Sequence, residues 1–110
     1  MWYIEENGKP IPCEDVLAAS KWLYGPGGEE RRRVRETKIG DDNVWVSTVF
    51  LGLDHNYFGG RPLLYETMIF GGPHDLYQSR YSTKEEAIAG HDEAVLLATS
   101  PTEEKAKEKK

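Results

Sequence analysis

Two apolar runs separated by a short loop constrain the fold of this chain more than any other feature. They cover residues 44–53 and 63–70, and both are rich in the β-branched and aromatic side chains that favour strands. The nine residues between them are too few for a crossover helix, so the two strands are predicted to pair antiparallel. Because both faces of each run carry apolar side chains, the pair is expected to be central and covered on both sides.

Other elements are predicted before and after this pair. A helix is expected over residues 14–24, where apolar residues recur at helical spacing, and the glycine- and proline-rich stretch 25–28 ends it. Two prolines, Pro10 and Pro12, remove backbone donors after the first turn, so no return strand is expected there. Shorter strands are predicted at residues 2–4, 32–39 and 76–81.

The last helix has the clearest predicted start. Ser82 and Glu85 fit a capping box, with the serine as N-cap and the glutamate three residues later. A continuous stripe of small and apolar residues that includes His91 follows, and Ser100-Pro101 ends the helix.

These elements together predict the α+β class: a small antiparallel sheet of three to five strands with two packed helices. At 110 residues the chain has the length of one domain, which is placed at residues 1–100. Residues 101–110 consist mainly of lysine and glutamate and are predicted to form a disordered tail.

Composition narrows the environment and the partners. The single cysteine, Cys13, excludes an intrachain disulfide, and the sequence shows neither a secretory signal nor an apolar run of the ~20 residues needed to cross a bilayer. The chain is therefore expected in the cytoplasm and away from membranes. Its net charge of −5 disfavours nucleic acid as a partner, since nucleic-acid binders normally present a basic face.

Five polar residues lie in or beside otherwise apolar elements and form a candidate polar cluster: Asp54, His55, Glu66, Arg80 and His91. One interpretation is a metal site or an acid–base pair built from the carboxylates and histidines. The other is structural: Glu66 pairs with Arg80 or His91, because a carboxylate on an apolar face needs a partner, and Asp54 caps its own loop. The sequence has no tight metal-ligand spacing, phosphate loop or dinucleotide fingerprint, so neither a metal nor a cofactor is predicted.

Two further groups of residues are candidates for contact with a partner. Tyr57 and Phe58 lie in a glycine-bounded loop, where exposed aromatic side chains can anchor a protein. Arg31 and Arg33 belong to an arginine cluster that suits phosphate or an acidic protein, although flanking glutamates weaken its field. A homodimer is also considered, because strands with two apolar faces need more cover than one short helix gives.

The stretch VSTVFLGLDHNYFGGRPLLYETMIFGG, followed by RYSTKEEAIAGH, resembles a family of small proteins from tailed phages and prophages that has no assigned activity. The N-terminal YIEENGKPIPCEDVLAASKWL is also similar to that family, so the likeness covers most of residues 3–95. The matching motif residues are Ser47, Thr48, Asp54, His55, Glu66, Thr67, Arg80, Tyr81, Ser82, Thr83 and His91.

The resemblance implies a phage-encoded protein that acts in the cytoplasm of the bacterial host. With the small size and the absence of a catalytic motif, it favours an accessory protein that binds a host or phage protein. Antagonism of a bacterial defence system is one concrete version. The alternative is a small metal-binding or acid–base enzyme that uses Asp54, His55, Glu66 and His91.

Overall fold

The fold is built on a four-stranded antiparallel sheet and a separate two-stranded hairpin, as seen in a computed structural model that describes residues 1–40 and 43–99. In chain order the elements are β1 (Tyr3–Glu6), β2 (Lys9–Pro12), α1 (Val16–Tyr24), α2 (Gly28–Arg32), β3 (Arg33–Ile39), β4 (Val44–Phe50), β5 (Tyr65–Phe70), β6 (Gln78–Tyr81) and α3 (Lys84–Ala98). The large sheet has the strand order β3-β4-β5-β6, and β1 pairs with β2 in a separate two-stranded sheet. The first residue of β1, Tyr3, also donates its N–H to the Gly52 carbonyl at 2.6 Å.

The predicted α+β class is confirmed, and the four-stranded sheet falls within the expected three to five strands. Among residues 1–40 and 43–99 there is one helix more than expected, because Gly28–Arg32 form the single-turn helix α2 before β3 begins. The predicted tail at residues 101–110 and the predicted helix end at Ser100-Pro101 lie outside the described residues. None of the helices within residues 1–40 and 43–99 is both long enough and apolar enough to span a membrane.

The expectation that the two prolines prevent a return strand is wrong, since β2 pairs with β1 over its whole length. Cys13 donates its backbone N–H to the Trp2 carbonyl at 2.8 Å. N–H groups alternate in direction along a strand, so those of Ile11 and Lys9 also point toward β1. Pro10 and Pro12 occupy the intervening positions, whose missing N–H groups point away from the hairpin.

Both long helices begin at side-chain caps, one of them displaced from the predicted position. Asp15 caps α1 by accepting from the N–H groups of Leu17 and Ala18, each at 3.1 Å. The capping box of α3 uses Thr83 and Glu86, one residue after the expected pair of Ser82 and Glu85. The segment offers two overlapping S/T-x-x-E frames, and spacing alone does not distinguish them.

Only one face of the large sheet is covered by helices. This helix face carries the buried side chains of the two central strands, and α3 packs against it through Ala87, His91 and Ala94. The opposite face, called the open face below, carries Trp45, Ser47 and Val49 of β4 and Glu66, Met68 and Phe70 of β5, all partly exposed. The expectation that both faces of this pair are covered is therefore wrong for the described part of the chain.

Candidate functional site

The predicted polar cluster is not assembled in the structure. Glu66 lies on the open face, whereas His91 is fully buried on the helix face, so the sheet separates them. Asp54 and His55 lie beyond the end of β4, at the start of the β4–β5 loop. Within residues 1–40 and 43–99, no group of three or more histidine, cysteine, aspartate or glutamate side chains is arranged to hold a metal ion.

Glu66 has the structural role that the sequence predicts as one of two interpretations, because it pairs with Arg80. Its Oε2 accepts from Arg80 Nε at 3.0 Å and from the Gln78 side-chain amide at 2.6 Å, across the β5–β6 pair. Arg80 stands directly opposite Glu66 in the register, which places the two side chains on the same face. The carboxylate on the apolar face is therefore satisfied by its neighbouring strand.

His91 forms the centre of a buried hydrogen-bond network. Its Nδ1 lies 2.7 Å from the Thr48 hydroxyl and its Nε2 lies 2.8 Å from the Thr37 hydroxyl, while Thr48 also contacts Thr67 at 2.6 Å. Burial lowers the pKa of His91, the nearby Arg35 lowers it further, and Asp92 opposes both. A neutral ring enclosed by hydroxyl groups joins α3 to three strands but offers no surface to a substrate.

A second buried polar group was not predicted from the sequence. The Tyr65 hydroxyl donates to Glu5 Oε2 at 2.5 Å, and Lys84 Nζ lies 3.8 Å from the same oxygen. Burial, followed by the hydrogen bond to Glu5, raises the pKa of Tyr65. These contacts clasp the β1–β2 hairpin to the sheet and to the start of α3, and no spacing pattern in the sequence announces them.

The arginine cluster is largely engaged within the fold. The Arg31 guanidinium donates to three main-chain carbonyls, those of Lys21 and Trp22 in the last turn of α1 and that of Pro26 just after the helix. Arg32 Nε donates to the Leu23 carbonyl at 2.7 Å. Arg33 is exposed on β3. Because its best-placed donors cap a helix C-terminus, the cluster is a poor phosphate site.

Residues 54–62, the central part of the connection between β4 and β5, are held in shape by two of their own side chains and are called the aromatic loop below. Asp54 Oδ1 accepts from the backbone N–H groups of Asn56 and Leu63, at 2.8 and 2.9 Å. The Asn56 side chain accepts from Phe58 N at 3.2 Å and donates to the Arg61 carbonyl at 2.8 Å. The Asn56 N–H, helped by that of Leu63, holds the pKa of Asp54 below its usual value.

The ends of this loop are tied to neighbouring elements. Arg61 makes a two-pronged ion pair with Glu86 at the start of α3, with N–O distances of 3.1 and 3.2 Å. The Asp54 N–H lies 3.3 Å from the Met1 carbonyl, which places the N-terminus beside the loop base. The loop is thus supported at both ends, and its tip projects from an ordered frame.

The tip of the aromatic loop presents two aromatic side chains to solvent. Phe58 is 100% exposed and Tyr57 is 76% exposed. Gly59 and Gly60 follow with positive φ angles of 85° and 90°, a backbone conformation that turns the chain away immediately after the aromatic pair. Exposed aromatic side chains on a preformed loop are the kind of group that anchors protein interfaces.

The role of Asp54 in shaping this loop can be tested by hydrogen exchange. Asp54→Ala removes the acceptor for two backbone donors, so we expect faster amide exchange at Asn56 and Leu63 and a loss of stability of about 1 kcal/mol. Asp54→Asn keeps an oxygen acceptor of the same length and is the matched control. Equal protection of both amides in the alanine variant and the wild type would show that the loop is shaped by other contacts.

Comparisons with known proteins do not extend these observations. No protein family matches this chain, and no curated protein or solved structure is significantly similar to it. The geometry described above therefore carries the functional argument.

Proposed function

We propose that this protein is a small accessory protein of phage type that binds a host or phage protein through the aromatic loop. The observation that carries the proposal is the full exposure of Phe58 at the tip of a loop held by side-chain-to-backbone hydrogen bonds. An aromatic side chain in water contributes nothing to folding, but it can bury a large apolar area against a partner.

The ordered state of the loop supports the same proposal energetically. A flexible loop loses conformational entropy when it binds, and this loss subtracts from affinity. Here the Asp54 and Asn56 hydrogen bonds restrict the loop before any partner arrives. The place of action we propose is the cytoplasm of a bacterial host, and antagonism of a defence system is one version of the binding activity.

Two observations favour a protein partner over the other classes considered. Glu66 is partly exposed on the open face and His91 is buried on the helix face, so the two give an acid–base or metal-dependent enzyme no assembled centre. Arg31 is engaged with main-chain carbonyls, and the chain carries a net charge of −5, which works against attraction of nucleic acid.

The proposal predicts a specific partner that depends on Phe58. The folded protein should retain one stoichiometric partner from host lysate prepared with or without phage infection, identified by mass spectrometry. Phe58→Ala should weaken binding of the purified partner by about 30-fold or more, because a central aromatic anchor is worth about 2 kcal/mol or more. Calorimetric titration measures that difference.

Leu96→Ala is the matched control for this experiment. Leu96 is a large apolar residue on α3 that is 67% exposed, so its replacement alters surface hydrophobicity without touching the loop. The partner should bind this variant as it binds the wild type. No partner on well-folded bait, or equal binding by the Phe58 variant, would remove the support for this proposal.

A further inference from the structure

The open face of the sheet is covered by no helix in the described part of the chain. Its apolar side chains are Trp45, Val49, Met68 and Phe70. The rings of Trp45 and Phe70 stack with centroids 5.4 Å apart. α3 and the buried end of α1 both pack on the opposite face, against Val46, Phe50 and their neighbours.

The strand register sorts this face into rows. One row consists of Glu36, Ser47 and Met68, and the next consists of Lys38, Trp45 and Phe70. Large flat side chains therefore lie next to small or flexible ones along each central strand. On the edge strand β3, each row ends in a charge, and the two charges have opposite signs.

We infer that the open face is a two-fold interface between two copies of this chain. A two-fold axis that runs across the strands between the two rows brings Trp45 over Ser47 of the second copy and Phe70 over Met68 of the second copy. Each aromatic ring then meets a small or adaptable side chain. Two aligned sheets packed face to face are a common arrangement, and a two-fold interface requires that each contact occur twice.

The same axis pairs the charges at the edge. Glu36 of each copy faces Lys38 of the other, so two attractive pairs form at the ends of one interface. Both side chains are exposed in the single chain. This charge complementarity is the reason to assign a second copy to the face. A second copy brings charges that match Glu36 and Lys38 by symmetry, whereas no such match is required of another partner.

The surface beside the rows provides further room for the second copy. A concavity of about 480 Å³ lies at the β3–β4 end of the open face and is lined by residues that include Lys38, Asn43 and Trp45. Val49 lies two residues beyond Ser47 on β4, and the concavity lies beyond Trp45 at the opposite end of that strand. The proposed axis therefore directs Val49 of the second copy into this concavity.

The size of the face sets the expected strength of the dimer. The four strands of the sheet have seven, seven, six and four residues. With strands about 4.8 Å apart and about 3.4 Å per residue, they project roughly 400 Å² per copy. Roughly 800 Å² in total lies below the size of stable specific interfaces, so the expected dimer is a weak one that forms in the micromolar range or above. This inference concerns the purified protein alone and does not depend on the aromatic loop.

Sedimentation equilibrium of the full chain, from low to high micromolar concentration, tests the interface. We expect a monomer–dimer equilibrium. Glu36→Lys and Lys38→Glu should each weaken it by roughly tenfold or more, because each reversal creates two repulsive contacts. The double variant with both reversals should regain the wild-type dissociation constant, since it restores both pairs with their signs exchanged and leaves the net charge unchanged.

Two further variants complete the test. Glu93→Lys makes the same charge change as Glu36→Lys, but at an exposed position of α3, and should leave the monomer–dimer equilibrium unaltered. Met68→Arg should abolish the dimer while the single chain stays folded by circular dichroism. A monomer at every concentration, unaltered dimerisation in the single reversals, or failure of the double variant to recover would each overturn the inference. Binding of an unrelated protein that Met68→Arg abolishes would assign the face to that protein instead.

Discussion

Replacement of His91 by alanine is expected to lower the free energy of unfolding by about 3 kcal/mol. The substitution leaves a cavity where a fully buried ring stood and removes the partner of the Thr37 and Thr48 hydroxyls. Chemical denaturation at neutral pH measures the loss.

Asp92→Ala is the control on the same helix. Its ion pair with Arg35 is exposed, so about 0.5 kcal/mol is expected there. A loss below about 1 kcal/mol for His91→Ala would mean that the buried hydrogen-bond network contributes little to stability.

The same histidine makes stability depend on pH in a defined direction. Its pKa in the folded protein lies below the ordinary 6.5, because burial and Arg35 disfavour the charged ring more than Asp92 favours it. The unfolded chain therefore binds a proton at a pH where the folded chain does not. The stabilising contribution is complete above pH 6.5 and is lost as the pH falls from there through the lowered pKa.

This pH effect has its own variant. His91→Gln keeps hydrogen-bonding capacity but cannot titrate, so its stability should change less than that of the wild type as the solution is acidified from neutral. Denaturation midpoints at a series of pH values provide the comparison. Parallel curves for the two proteins would show that other groups cause the dependence.

Gly52→Ala is expected to be almost as damaging, for a different reason. The φ angle of Gly52 is 79°, and an added Cβ would lie 2.5 Å from both terminal methyl carbons of Leu23. Leu23 is itself fully buried in a core cluster with Phe50 and Leu64, so its displacement would disturb the packing of the core. The left-handed backbone costs about 1–2 kcal/mol and the overpacking about 1–3 kcal/mol, so a loss of about 3 kcal/mol is expected.

Gly59→Ala separates the two contributions. Gly59 has a similar φ angle of 85°, but an added Cβ would meet no heavy atom within 4 Å. Its loss should therefore be limited to the backbone cost of about 1–2 kcal/mol. Thermal or chemical denaturation of both variants gives the difference, and equal losses would mean that the close approach to Leu23 has no energetic consequence.

The parts of the fold that followed from the sequence are those set by local periodicity. The alternation in β4 and β5 identified the two central strands and the residues that share a face, because side-chain direction in a strand repeats every two residues. Periodicity does not tell which face a helix will cover. The open face was therefore expected to be covered, although no helix of the described chain packs on it.

The candidate site was predicted unevenly for a similar reason. Tyr57 and Phe58 were found because a glycine-bounded loop favours exposure, which is a local property. The proposed polar cluster failed because spacing along the chain assigns Glu66 to a strand and His91 to a helix without giving the side of the sheet on which each lies. The clasp between Glu5 and Tyr65 joins residues 60 positions apart and has no local signature. The binding role of the aromatic loop and of Arg33 stays a prediction.

The position of Met1 affects how the protein should be handled in a binding assay. Its carbonyl lies beside the base of the aromatic loop, next to the Asp54 N–H. An affinity handle or resin attached at this end would lie at the base of the loop that carries Phe58, where it is expected to crowd a docking partner. The bait should therefore be attached elsewhere, for example through Lys21 on α1, and a negative result from an N-terminally immobilised bait would not count against the proposal.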